Sequence, residues 1–163
     1  LAATTLLTPS MGVIQAAQVA GLLYVWRNIV QVVTSYPVGV LADKLGPQRV
    51  LVAGYALGVL TAALMATAFA LGTDSLWFLG AVFFVAGLYV AVQEALESTV
   101  TAGMVAQDTL ATSYGALGTV NGAGKLISSS TVGILWTVVS PVAAFGLAAA
   151  MMALGTLALL RVR

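Results

Sequence analysis

A chain of 163 residues with 61% hydrophobic and 7% charged side chains cannot coat a water-soluble globule, because soluble domains carry about 25% charged residues. Most of its surface must face lipid, and an all-α, polytopic transmembrane helix bundle is expected. The net charge of +1 supplies no basic field for nucleic acid. The absence of Cys and His excludes thiol nucleophiles, Cys/His zinc sites, haem ligation through His and Ser-His-Asp catalysis. No enzymatic activity, metal or cofactor is expected.

The chain opens on Leu1, with no positively charged leader and no Ala-x-Ala cleavage site, so residues 1–10 do not read as a signal peptide. The sequence reads as a piece of a longer chain. A spanning helix needs about 20 mostly apolar residues, and five segments meet this: 18–42, 49–70, 75–102, 109–138 and 141–160. Residues 1–9 are too short to span and are expected to be the tail of a preceding helix, with Pro9-Ser10-Met11-Gly12 as a turn. The apolar runs are continuous, whereas barrel strands alternate apolar and polar over about ten residues. Breakers separate them at Gly46-Pro47, Gly72-Thr73-Asp74, Gln107-Asp108 and Ser140-Pro141. The whole chain is expected to be one bundle, with lipid as its main partner.

The cations set the expected orientation. Lys44 and Arg49 follow the first span, and Arg161 and Arg163 follow the last, so they lie on one side. The opposite loops, at Thr73-Asp74 and Ser140-Pro141, hold no Lys or Arg. The Lys44 loop and the C-terminus are therefore expected to be cytoplasmic, in an inner membrane.

The loop reads Gly39-Val40-Leu41-Ala42-Asp43-Lys44-Leu45-Gly46-Pro47-Gln48-Arg49. Gly39 is expected to let two helices approach and Gly46 to supply a tight turn. Asp43 ends its helix within reach of Lys44, Arg49 and a neighbouring helix N-terminus, whose dipole favours an anion. Such a cluster holds one conformation closed and breaks in another; its plainer reading is a solvated turn. The loop resembles the major facilitator signature G-x-L-x-D-[RK]-x-G-x-x-[RK]. Leu22-Leu23-Tyr24, Asn28 and Ser35-Tyr36-Pro37 precede it as they do in a bacterial efflux-like branch of that superfamily. Gln93-Glu94-Ala95-Leu96-Glu97 with Thr101-Ala102 resembles the fourth helix of the second half. Tyr114-Gly115, Gly118 and Asn121-Gly122 resemble its fifth. The resemblance implies helices eight to twelve of a twelve-helix transporter, with the end of helix seven before them: half of a major-facilitator-type fold. Two places depart from the family pattern. Gly103, Ala106 and Ala111-Thr112 stand where relatives carry Asp, Pro and Arg-Gly, and Pro47-Gln48 replaces a basic pair.

Ionisable residues at bilayer depth cost about 2.5 to 3.5 kcal/mol each on insertion scales. Arg27, Glu94, Glu97 and Lys125 therefore stand out, with Asn28 beside Arg27. At about 1.5 Å per residue, Arg27 and Lys125 lie roughly 22 and 24 Å from the cytoplasmic helix ends, and Glu94 roughly 13 Å. Glu94 and Glu97 form an i, i+3 pair beside Gln93. Glu94 reads equally as a protonatable coupling or substrate-contact residue, with Arg27 its partner or an anion contact, and as a packing residue. Glu97 reads as packing, and Lys125 as a contact to a ligand or partner particular to this protein. Gly115, Gly118 and Gly122 have the spacing of close helix packing. Ser128, Ser129 and Ser130 can bond back to their own helix. Trp77 and Trp136 fit an interfacial belt, which leaves Trp26 for substrate contact.

The expected function is a membrane secondary transporter, or its C-terminal half, moving a small solute by alternating access against an N-terminal half-bundle. The alternative is a transporter-derived, non-transporting subunit packed against other membrane subunits.

Overall fold

The computed structural model describes residues 1–161, and every regular element among them is helical. The elements are α1 (Ala2–Met11), α2 (Val13–Leu45), α3 (Pro47–Leu71), α4 (Leu76–Met104), a short 3₁₀ turn (Gln107–Thr109), α5 (Leu110–Val138) and α6 (Pro141–Arg161). Arg163, one of the four cations used for orientation, lies outside the described residues. Helix is the form a long apolar run takes in lipid, because each backbone N–H and C=O then finds its partner within the segment.

The breaks have local causes. Gly46 takes φ 93, a left-handed value that side chains avoid, and Pro47 opens α3 at a position that needs no N–H. Ser75 caps α4 by accepting from the Phe78 N–H at 3.4 Å. Ser140 does the same for α6, accepting from the Ala143 N–H at 3.1 Å. Near the start the expected turn at 9–12 shrinks to one residue: α1 runs through Pro9, and Gly12 at φ 79 alone separates it from α2. Proline sits in the last turn of α1, and what ends the helix is the backbone reversal at glycine. As a result α2 begins five residues before the expected span, at Val13.

Three helices, α3, α4 and α6, are long and apolar enough to cross a membrane. At 33 and 29 residues, α2 and α5 have the length, but their polar residues dilute the apolar run. Arg27, Asn28 and Gln31 interrupt α2, as Asn121, Lys125 and Ser128 to Ser130 interrupt α5.

Helix α4 packs between α2 and α3, α3 continues the layer to α6, and α5 leans on α6 while barely touching α4. Two apolar cores mark the two ends. One joins Leu6 and Leu7 of α1 to Ala16, Met65, Ala68, Leu79 and Val82. The other joins Ala42, Val50, Leu51, Val92 and Leu96, with Leu159 of α6 against it. The second lies at the Lys44 end, so the last turn of α6, with Arg161, shares that end with the loop.

The tightest contacts are made over glycine. A Cβ at Gly54 would collide with Val92, and one at Gly58 with Met152 and the Tyr89 ring. On α4, a Cβ at Gly87 would sit 2.7 Å from the Arg27 carbonyl oxygen and 2.8 Å from Val30 Cβ. At Gly39, Gly115, Gly118 and Gly122, the glycines singled out in the sequence, an added Cβ meets no atom of this chain within 4 Å. Helix α5 buries none of its residues, and its glycine face approaches no other helix among the described residues.

This contrast gives a paired test on α4. Gly87→Ala presses a methyl group on backbone and is expected to lower stability by about 1–3 kcal/mol. Gly80→Ala enters open space and is expected to be neutral, or stabilising by up to about 1 kcal/mol through helix propensity. Unfolding titrations in detergent measure both, and equal shifts would refute the assigned contact.

Candidate functional site

The polar residues converge at two places between helices. At the first, Arg27 on α2 donates from Nη2 to Gln31 Oε1 at 3.3 Å, one turn along the same helix. Gln31 in turn donates from Nε2 to Glu94 Oε2 on α4 at 2.6 Å. The expected partnership of Arg27 and Glu94 is therefore indirect, with an amide between cation and carboxylate. An amide can serve both, since it carries a carbonyl acceptor and an NH₂ donor. The guanidinium also lies over the Tyr24 ring, 5.2 Å from its centroid. Its Nε is buried with no hydrogen-bond partner. Asn28 is turned back on its own helix, donating to the Tyr24 carbonyl at 2.7 Å.

At the second place Glu97, half-buried on α4, accepts from three neighbours. The Tyr55 hydroxyl of α3 and Gln93 Nε2 (3.0 Å) both reach Oε1, and Asn121 Nδ2 of α5 reaches Oε2 at 3.0 Å. One carboxylate thus ties together three helices. The i, i+3 spacing does not give Glu94 and Glu97 a common function: Glu94 is exposed and bonded towards α2, whereas Glu97 turns to α3 and α5. Lys125 is exposed on α5, away from both groups.

At the Lys44 end, Lys44, Gly46, Gln48 and Arg49 line a cleft of about 600 Å³ with Thr99, Gly103 and Met104 at the end of α4. Asp43 is exposed and is not part of this lining. The basic side chains therefore face the last turn of α4, which supplies carbonyl dipoles that favour cations.

The three tryptophans have different surroundings. Trp26 is fixed to α4: its Nε1 donates to the Gly80 carbonyl at 3.2 Å and its ring stacks on Phe84. Trp136 packs edge-on against both Phe69 and Phe145, 5.1 and 5.8 Å between centroids, as part of a cluster joining α3, α5 and α6. Trp77, 92% exposed, is the one that stands free at a helix start. Ser128 bonds back to the Lys125 carbonyl at 3.2 Å. Among the described residues no group of three His, Cys, Asp or Glu could hold a metal.

Sequence reasoning passed over Gln31, Tyr55 and Tyr89. Gln31 carried a signal, standing i+4 from Arg27 where side chains on one helix meet. Tyr55 did as well, as a hydroxyl in the second position of Gly54-x-x-x-Gly58. Removing the Glu97 hub strands three donors, so Glu97→Ala is expected to destabilise by about 1–3 kcal/mol. A double-mutant cycle with Asn121→Ala isolates the α4–α5 link, expected at about 0.6–1.7 kcal/mol of coupling. Additive effects in detergent unfolding would show that the link contributes nothing.

The family model of the Major Facilitator Superfamily matches residues 1–163. No curated protein and no solved structure matches the chain. Apolar helices in an all-α bundle, the loop from Gly39 to Arg49 and a match over every residue agree: this is a multi-pass membrane protein, and the chain belongs to the Major Facilitator Superfamily, a family of secondary transporters.

Proposed function

We infer that the chain forms the C-terminal half of a bacterial, efflux-like transporter that moves a small solute by alternating access in an inner membrane, and that protons drive it through Glu94. The observation that carries this reading is the Arg27–Gln31–Glu94 relay across α2 and α4. An exposed carboxylate at bilayer depth, held by a single amide donor, is costly unless a second state uses it. Protonation of Glu94 leaves an acceptor carbonyl for Gln31 and removes the negative charge that Arg27 senses through the amide. The two helices are then free to take a different relation.

Glu97 has the opposite character. Three donors satisfy it and it holds α3, α4 and α5 together, which supports a packing role. Lys44, Arg49 and Arg161 at one end support a cytoplasmic position for that end. In this reading the exposed faces of α2 and α5, with Asn28, Lys125 and the glycines 115, 118 and 122, turn towards the N-terminal half-bundle. Family membership favours transport over a non-transporting subunit.

Reconstituted full-length protein provides the test, with an imposed pH gradient and a panel of radiolabelled cationic, neutral and anionic organic solutes. Wild type accumulates at least one member. Glu94→Gln is expected to lose gradient-driven accumulation and to keep solute exchange at equal pH. Unchanged accumulation would remove Glu94 from the mechanism, and no accumulation by wild type would remove the transport reading.

A further inference from the structure

A partly open cavity of about 350 Å³ lies between α2, α3, α4 and α6. Arg27, Thr61, Phe83, Tyr89, Phe145 and Met152 are among the walls. The volume falls at the lower end of small-molecule pockets, about 300–1,000 Å³. The lining has no carboxylate. The Thr61 hydroxyl is committed to the Leu57 carbonyl at 2.8 Å. The charged residue of this lining is Arg27.

That charge is under-used. A guanidinium has five N–H donors in a planar fork and no acceptor. Here Nη2 makes one long bond to Gln31, at 3.3 Å, and the buried Nε makes none. The nearest carboxylate in the network, Glu94, is spent on the far side of Gln31 at 2.6 Å. A buried donor without a partner calls for an acceptor, and the fork geometry favours a carboxylate over a single-atom acceptor. Arg27 lies roughly 20 Å or more from either end of α2 by helix rise, so lipid headgroups do not reach it.

The walls describe the rest of the ligand. Phe83 and Phe145 add aromatic rings and Met152 an unbranched, adaptable thioether. A second cavity of about 590 Å³, between α4, α5 and α6, shares Tyr89, Ala148 and Met152 with the first. Those three side chains lie between the two spaces. We propose that this cavity binds an organic monocarboxylate, its carboxylate on the Arg27 fork and its aromatic or aliphatic body among Phe83, Phe145 and Met152. The proposal deepens the transport reading by naming its substrate class, yet binding can be measured without transport.

The test is equilibrium binding of radiolabelled benzoate to the full-length protein in phosphatidylcholine nanodiscs. Saturable binding is expected, displaced by hexanoate and not by benzamide or benzylamine. Arg27→Gln should weaken it by at least about tenfold, the loss of a charge-assisted bond, and Arg27→Lys should restore part of it. Ala148→Phe, which fills the cavity and leaves Arg27 intact, should also abolish binding, and it carries the test if Arg27→Gln does not fold. The proposal is overturned if wild type shows no saturable benzoate binding, if benzamide competes equally, or if both Arg27→Gln and Ala148→Phe bind as wild type does. Binding without solute flux would end the transport reading alone; flux without benzoate binding would end this one alone.

Discussion

Helix α3 lies directly against α4 and α6 because Gly54 and Gly58 offer bare backbone where any larger residue would collide with Val92, Met152 and Tyr89. In lipid there is little hydrophobic drive for one helix to prefer another over an acyl chain, so close van der Waals packing over small residues and interhelical hydrogen bonds must hold the bundle. The two effects are joined here. Tyr55 follows Gly54, so the approach that seats Val92 also delivers the Tyr55 hydroxyl to Glu97 on the neighbouring helix. A side chain at position 54 would push the helices apart and withdraw that donor. The polar hub thus depends on the glycine contact, and through Asn121 the attachment of α5 to α4 depends on the hub.

The charged groups within the bundle are joined through amides. Gln31 stands between Arg27 and Glu94, and Gln93 and Asn121 both serve Glu97. Taking one partner from a buried ion pair costs about 3–5 kcal/mol, whereas interhelical hydrogen bonds in membranes average about 0.6 kcal/mol. A bundle bridged by amides can therefore shift one helix against another without separating opposite charges. The arrangement suits a protein that changes shape, and it ties the carboxylates of α4 to α2 and α5, the two long helices that are not apolar enough to pass as spans by composition.

Much of this was legible in the sequence. The continuous apolar runs gave helices over the expected segments, and the Gly46-Pro47 break was readable because a left-handed turn and a helix start each need one of those residues. Which glycines pack was not. Gly54-x-x-x-Gly58 and Gly118-x-x-x-Gly122 have the same spacing, but the first faces two neighbours and the second faces none. Spacing reports that a face is small; only the fold supplies what lies opposite. The same limit hid the interhelical partners of Glu97, which stand 42 positions before it and 24 after. Glu94 and Glu97 share a helix and similar neighbours in sequence. They differ because Glu94 meets Gln31 at an open edge while Glu97 is enclosed between two further helices.

The polar hub and the Arg27 cavity share a wall. Tyr89 lines the cavity, and its ring lies 6.2 Å from that of Tyr55, tilted at 52°. Tyr55 carries the hydroxyl that Glu97 accepts, and Glu97 accepts also from Asn121 on α5. Gly58 leaves Tyr89 and Met152 the room they occupy, so the same bare backbone that sets the α3 packing also helps to set the partition between the two cavities. A chain of direct contacts therefore runs from the cavity beside Arg27 through two rings and one carboxylate to helix α5. Physical coupling requires such contiguity together with an element that has two arrangements. Helix α5, with no buried residue and a polar link to α4, is the element of this bundle least committed to a single position.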